Sequence, residues 1–131
     1  MPIQDHGDDL EVTVLTDKSA YGLSEDVALT LKVRNKASAA IYTYFPTTYR
    51  FDFYVYKAGA YLWSHEYGKG HLGIRTNFDI GPASTETFVS AVIWDQTTNT
   101  GEAVTSGAFS VTGYLGDPAY NMSSSEPFSL L

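Results

Sequence analysis

The sequence contains no cysteine. That removes disulfide staples, thiolate zinc sites and cysteine nucleophiles at once, so the fold must stand on its core alone. Basic residues are scarce: eight Lys and Arg against fifteen Asp and Glu give a formal net charge of -7. Nucleic acids and anionic membranes draw much of their affinity for proteins from basic patches, and so few cations argue against both. No apolar run approaches the roughly 20 residues of a membrane span. The first nine residues carry neither a basic start nor an apolar stretch, so no signal peptide is expected there. An exported chain already stripped of its signal would read the same. Capped segments with a sustained 3.6-residue apolar period are also missing, which argues against a helical domain.

What is present points to strands. The chain has 131 residues, 44% apolar and 18% charged, enough for one domain with a real core. Aromatics make up 15%, and ten of them are Tyr, a residue suited to a pleated, half-buried surface. Residues 1–9 (MPIQDHGDD) read as a loose acidic tail, and residues 10–131 as a single domain. Period-two alternation recurs through that domain, broken by turn residues at short intervals. Val27, Leu29, Leu31 and Val33 alternate with Ala28, Thr30, Lys32 and Arg34 in the cleanest strand. Others are expected at Leu10–Val14, Ile41–Phe45, Arg50–Tyr56, Tyr61–Tyr67, Ile74–Ile80, Glu86–Asp95, Ala108–Leu115 and Pro127–Leu131. Lys57-Ala58-Gly59-Ala60 reads as a hairpin turn, and residues 96–106 as polar connection. Eight or nine strands over this length predict an all-β, immunoglobulin-like antiparallel β-sandwich.

Three segments carry a family resemblance. The first is Tyr21-x-x-x-Glu25-Asp26-Val27-x-Leu29-x-Leu31-x-Val33-x-Asn35. The second is Phe51-Asp52-Phe53-x-Val55, a hairpin, then Trp63-Ser64-His65-Glu66-Tyr67-Gly68-Lys69. The third is Trp94-Asp95-Gln96, a spacer, then Val104-x-x-Gly107-x-Phe109-x-Val111-x-Gly113-Tyr114-Leu115. Together they resemble the bacterial intracellular proteinase inhibitor (BsuPI-type) family. One departure is Phe109, where the family usually has Tyr; packing is kept and a hydroxyl bond is lost. The resemblance implies an immunoglobulin-like sandwich, a protein partner (a serine proteinase), no catalysis and a cytoplasmic setting. It transfers no reactive loop.

The residues themselves offer little chemistry. His6, His65 and His71 are the three histidines, and His65-Glu66 with His71 lacks the helical zinc-protease spacing. No strained Gly-x-Ser-x-Gly nucleophile turn occurs. Gly68-Lys69-Gly70 lacks the rest of a phosphate loop. Asp8, Asp9, Asp17, Glu25 and Asp26 have the oxygens for calcium but no spaced loop motif, so solvated acids are expected. No catalytic residue, cofactor or metal is therefore expected.

Two binding surfaces remain. A proteinase cleft accepts an extended segment and seats one side chain in a pocket, so a protruding loop is the natural candidate. Three loops are long enough: 46–49, 67–74 and 116–126. The middle one offers Tyr67, Lys69, His71 and Leu72, on a glycine-rich stretch that needs tying down. The second surface is aromatic. Tyr42 and Tyr44 share one face of their strand, as do Tyr54 and Tyr56 of theirs. If those strands pair, the four form one shelf for a sugar or protein, the basis of an alternative reading as a cell-envelope binding module. Cross-strand tyrosine packing would produce the same pattern.

Overall fold

The structure, a computed structural model, describes residues 9–47, 49–70, 72–116 and 123–131. Ten strands run in chain order: β1 (Leu10–Thr16), β2 (Ala20–Tyr21), β3 (Val27–Asn35), β4 (Ile41–Phe45), β5 (Phe51–Lys57), β6 (Ala60–Ser64), β7 (Thr76–Ile80), β8 (Thr85–Trp94), β9 (Gly107–Leu115) and β10 (Ser123–Leu130). They form a three-stranded sheet β1-β3-β8, a five-stranded sheet β2-β10-β9-β5-β6 and a two-stranded ribbon β4-β7. All pairings are antiparallel except the short parallel one between β2 and β10.

The alternation in the sequence becomes two inner faces. Val27, Leu29, Leu31 and Val33 are fully buried, as are Phe53, Val55, Val111 and Leu115 from the opposite sheet. Burying such side chains contributes about 1.5–3 kcal/mol each, which is what holds a cysteine-free sandwich closed. The two sheets approach each other tightly at Gly113. A Cβ there would lie 2.8 Å from Leu31 Cδ1 and 3.2 Å from Val14 Cβ, so a side chain fits only if Leu31 and Val14 shift. One end of the core is aromatic: Trp94 packs on Phe109, Phe128 and Trp63 with ring centroids 5.9–6.2 Å apart. Phe109 thus fills the core without a hydroxyl. A hydroxyl bond to upstream backbone is supplied elsewhere, by Tyr21, whose oxygen accepts from Lys18 N at 2.8 Å and donates to Asp17 at 2.5 Å.

The ribbon closes one side of the sandwich. Phe45 of β4 and Phe78 of β7 both meet Phe88 of β8, which in turn meets Phe51 of β5. The Arg50 guanidinium sits over Phe45 and Phe88, 5.2 Å from each ring. The expected Lys57–Ala60 hairpin is present. Ala58 and Gly59 have φ of 49° and 82°, the two left-handed positions of a tight two-residue turn.

Three expectations need correction. A tenth strand, β2, lies inside the connection read as a turn-rich loop. β10 starts at Ser123, not at Pro127, so the loop after β9 is shorter than 116–126. β6 stops at Ser64, and residues 65–68 turn instead of continuing the strand to Tyr67.

Candidate functional site

Register fixes where the loops go. Phe51 at the start of β5 pairs with Leu115 at the end of β9, and Tyr114 pairs with Ser123 at the start of β10. His65 N donates to Phe53 O at 3.0 Å, which brings the turn after β6 to the same end. The connections after β4, β6 and β9 therefore leave from one end of the sandwich. Gly116 N donates to Arg50 O at 2.9 Å and ties two of them together.

Asp52 organises this end. It is buried, although its position in β5 faces away from the core. Its Oδ1 accepts Phe53 N at 2.8 Å and Glu66 N at 3.1 Å, and Tyr49 Oη is 3.4 Å from Oδ2. Tyr54 lies against the same carboxylate. Burial raises the Asp52 pKa above the usual carboxylate value, while its two backbone donors oppose that shift. Burial and the nearby carboxylate also raise the Tyr49 hydroxyl. Through Glu66, Asp52 pins the turn that opens the candidate loop. Tyr67 N donates to Ser64 O at 3.4 Å and Lys69 N to Glu66 O at 3.1 Å, so two turns follow each other.

His65 reinforces the turn. Its ring stacks on Phe51 with centroids 5.4 Å apart and planes 14° apart, and Lys69 Nζ lies 3.3 Å from Nε2. Burial, then Lys69, lowers its pKa, so it favours the neutral form that accepts from the ammonium. Beyond this anchor, Tyr67, Leu72 and Ile74 are 60%, 64% and 53% exposed. Lys69 is exposed as well. His71 and His6 lie outside the described residues.

The tyrosines are divided. β4 pairs with β7 and not with β5, so Tyr42 and Tyr44 sit opposite Asp79 and Asn77 on the ribbon. Tyr42 is 71% exposed, and Arg75 lies over the Tyr44 ring at 5.9 Å. Tyr54 and Tyr56 belong to the five-stranded sheet. Tyr54 packs on Tyr61 and Tyr114, and Tyr56 on Tyr61, with centroids 5.1–6.3 Å apart. The single shelf of Tyr42, Tyr44, Tyr54 and Tyr56 thus does not form through strand pairing; cross-strand packing accounts for the second pair.

Three polar side chains of the quoted motifs are structural clasps. Buried Gln96, at φ 63°, donates to Gly22 O at 2.8 Å and Glu25 O at 2.7 Å and accepts from Ser24 N at 3.1 Å. Asn35 donates to Ala39, Ile80 and Gly81 carbonyls and accepts from Ala37 N. Asp52 clasps the 65–68 turn. Two of the acids considered for calcium are engaged otherwise: Asp17 accepts from Tyr21 and Ala28 N, and Glu25 pairs with Lys18, while Asp8 lies outside the described residues. Among the described residues no group of three His, Asp or Glu is placed to hold a metal.

Gln96 joins the third motif to the loop of the first, and Asp52 joins the two halves of the second. A model of the family described as intracellular proteinase inhibitor (BsuPI) matches residues 14–120. The chain belongs to this family. A search of curated proteins gives no match. Among solved structures, a CARDB domain from Pyrococcus furiosus in complex with di-metal ions is similar at 12% identity and TM-score 0.50, over 93% of this chain and 92% of its own. A Paenibacillus cycloisomaltooligosaccharide glucanotransferase complexed with cycloisomaltoheptaose gives 18% identity and TM-score 0.53, over 92% of this chain. The sporulation control protein Spo0M from Bacillus subtilis gives 15% identity and TM-score 0.50, over 93% of this chain. The chain spans 14% of the glucanotransferase and 48% of Spo0M. At such identities the likeness shows the fold, an immunoglobulin-like sandwich, and nothing of activity.

Proposed function

We propose that this BsuPI-family domain inhibits a serine proteinase in the cytoplasm without catalysing a reaction of its own, using the segment after β6 as its contact loop. Family membership over residues 14–120 carries the reading. Local geometry supports the choice of segment. A proteinase cleft rewards a segment that is rigid before binding, because little conformational entropy is then lost. Glu66 N on Asp52, together with the His65 stack on Phe51, supplies that rigidity at the base of the loop. Tyr67, Lys69 and Leu72 are exposed beyond it, offering an aromatic, a basic and an aliphatic side chain to a specificity pocket. Lys69 suits a trypsin-like pocket and Leu72 a subtilisin-like one.

Titration of the protein against a subtilisin-like and a trypsin-like proteinase tests both levels. Stoichiometric loss of peptidase activity with at least one of them is expected. Leu72→Ala or Lys69→Ala should weaken it by about tenfold or more, as for a side chain seated in a pocket. Undiminished inhibition by the double variant would reject the loop, and no inhibition of either proteinase would count against the function. The alternative of an envelope module binding sugar or protein through a four-tyrosine shelf loses its continuous surface. The exposed pair Tyr42 and Tyr44 is what is left of it.

A further inference from the structure

A groove of about 290 Å³ is lined by Tyr61, Leu62, Thr98, Thr100, Glu102 and Tyr67, the last also part of the proposed contact loop. Its walls are built before any ligand arrives. Asn99 also lines it, and its side chain clamps residues 98–100 onto β6: Oδ1 accepts from Ser64 N at 2.9 Å and from Tyr61 Oη at 2.7 Å, and Nδ2 donates to Ser64 O at 3.0 Å. The turn itself closes through Thr98 N to Glu102 O at 2.8 Å and Gly101 N to Thr98 O at 2.9 Å. The Tyr61 ring is thereby held by its hydroxyl, yet it stays 48% exposed.

We propose that this groove binds the cationic side chain of a protein partner, an arginine or a lysine, between the tyrosine rings and Glu102. Two exposed aromatic rings beside one carboxylate are the elements of a cation-π site, and the attraction is strongest where water is excluded. Among the described residues Glu102 is the one charged residue lining the groove, and it is exposed. Lys57, which shares the adjoining hollow with Glu102, is committed to Thr105 Oγ1 at 2.6 Å and to the Phe109 ring. The net charge of -7 adds a favourable field for a cation. An aliphatic or aromatic side chain would instead desolvate the Glu102 carboxylate, which accepts from Thr100 Oγ1 at 3.2 Å, with no cation to compensate its charge. The volume falls just under the range of about 300–1,000 Å³ typical of pockets for drug-sized ligands, which suits one side chain better than an oligosaccharide.

The groove shares Tyr67 with the proposed contact loop, so it is tested without a proteinase, where failure of inhibition and failure of cation binding read separately. The intact protein is titrated with N-acetyl-arginine amide, N-acetyl-lysine amide, N-acetyl-citrulline amide and glucose, reading the Tyr61 and Tyr67 resonances by NMR. The arginine and lysine probes should shift both tyrosines saturably. Citrulline, the neutral isostere of arginine, should bind about two- to fivefold more weakly, the scale set by loss of a cation-π contact at an exposed site. Tyr67→Ala and Glu102→Gln, both at exposed positions, should each weaken the arginine probe several-fold with unchanged melting temperature. Citrulline binding as tightly as arginine, saturable binding of glucose alone, or no response to any probe would overturn the proposal.

Discussion

Asp52 is a carboxylate held in the folded chain largely because its oxygens take two backbone N–H groups. Burial raises its pKa in the folded state, so the native protein binds that proton more readily than the unfolded chain does. The sign follows from linkage: this residue's contribution is most favourable below the unfolded carboxylate value and is lost as pH rises through the raised folded value. Asp52→Asn keeps an acceptor for Phe53 N and Glu66 N and removes the titration. Denaturant melts from acid to neutral pH should show the variant gaining on the parent as pH rises across that window; a pH-independent difference would refute the assignment. Asp52→Ala, by contrast, should cost about 1–3 kcal/mol by leaving buried donors unpaired. None of this was legible in the sequence. Alternation puts Asp52 on the outward face, and the fold-back of residues 65–67, with Tyr49 and Tyr54, covers it. The same holds for Gln96, whose neighbours in the chain say nothing about the carbonyls of Gly22 and Glu25.

Among the elements, the β5–β6 hairpin makes the simplest test. Its turn places Ala58 at φ 49°, where a Cβ crowds the backbone and asparagine is better tolerated. Ala58→Asn should raise the melting temperature by about 2–5 °C, the scale of a stabilisation near 1 kcal/mol in a domain this size. A fall in scanning calorimetry would contradict the turn geometry. Strands with clean alternation, β1, β3, β5 and β9, were readable because one face of each is buried. β2 was not, since two residues cannot show a period. The start of β10 was hidden because Ser123-Ser124-Ser125 has no apolar alternation, although it pairs with β9 in register. The partner of β4 was the costliest gap: it pairs with β7, far along the chain, and pattern alone does not name a strand's neighbour. That gap produced the expected tyrosine shelf.

At the scale of the whole molecule, two sheets meet at Gly113, where a side chain would press on Leu31 and Val14. Gly113→Ala must push Leu31 and Val14 outward and should destabilise the domain by about 1–3 kcal/mol, measured by denaturant unfolding. An unchanged midpoint would mean the sheets sit further apart. The sandwich, its single core and the family were all readable from periodicity and motif. The way its rim is finished was not, because residues 97–106 look like filler. There Asn99 presents one acceptor and one donor to Ser64, the pair that an incoming strand would present. A sheet border with vacant amides is a template on which further chains can stack, and a side-chain amide that mimics a peptide unit occupies the slot. Asn99→Ala should leave the domain folded yet quicken its conversion, on prolonged agitation, into thioflavin-binding fibrils. Resistance to fibrillation equal to the parent's would show that this rim needs no guard. Faster conversion would mean that the polar loop guards this protein against its own copies.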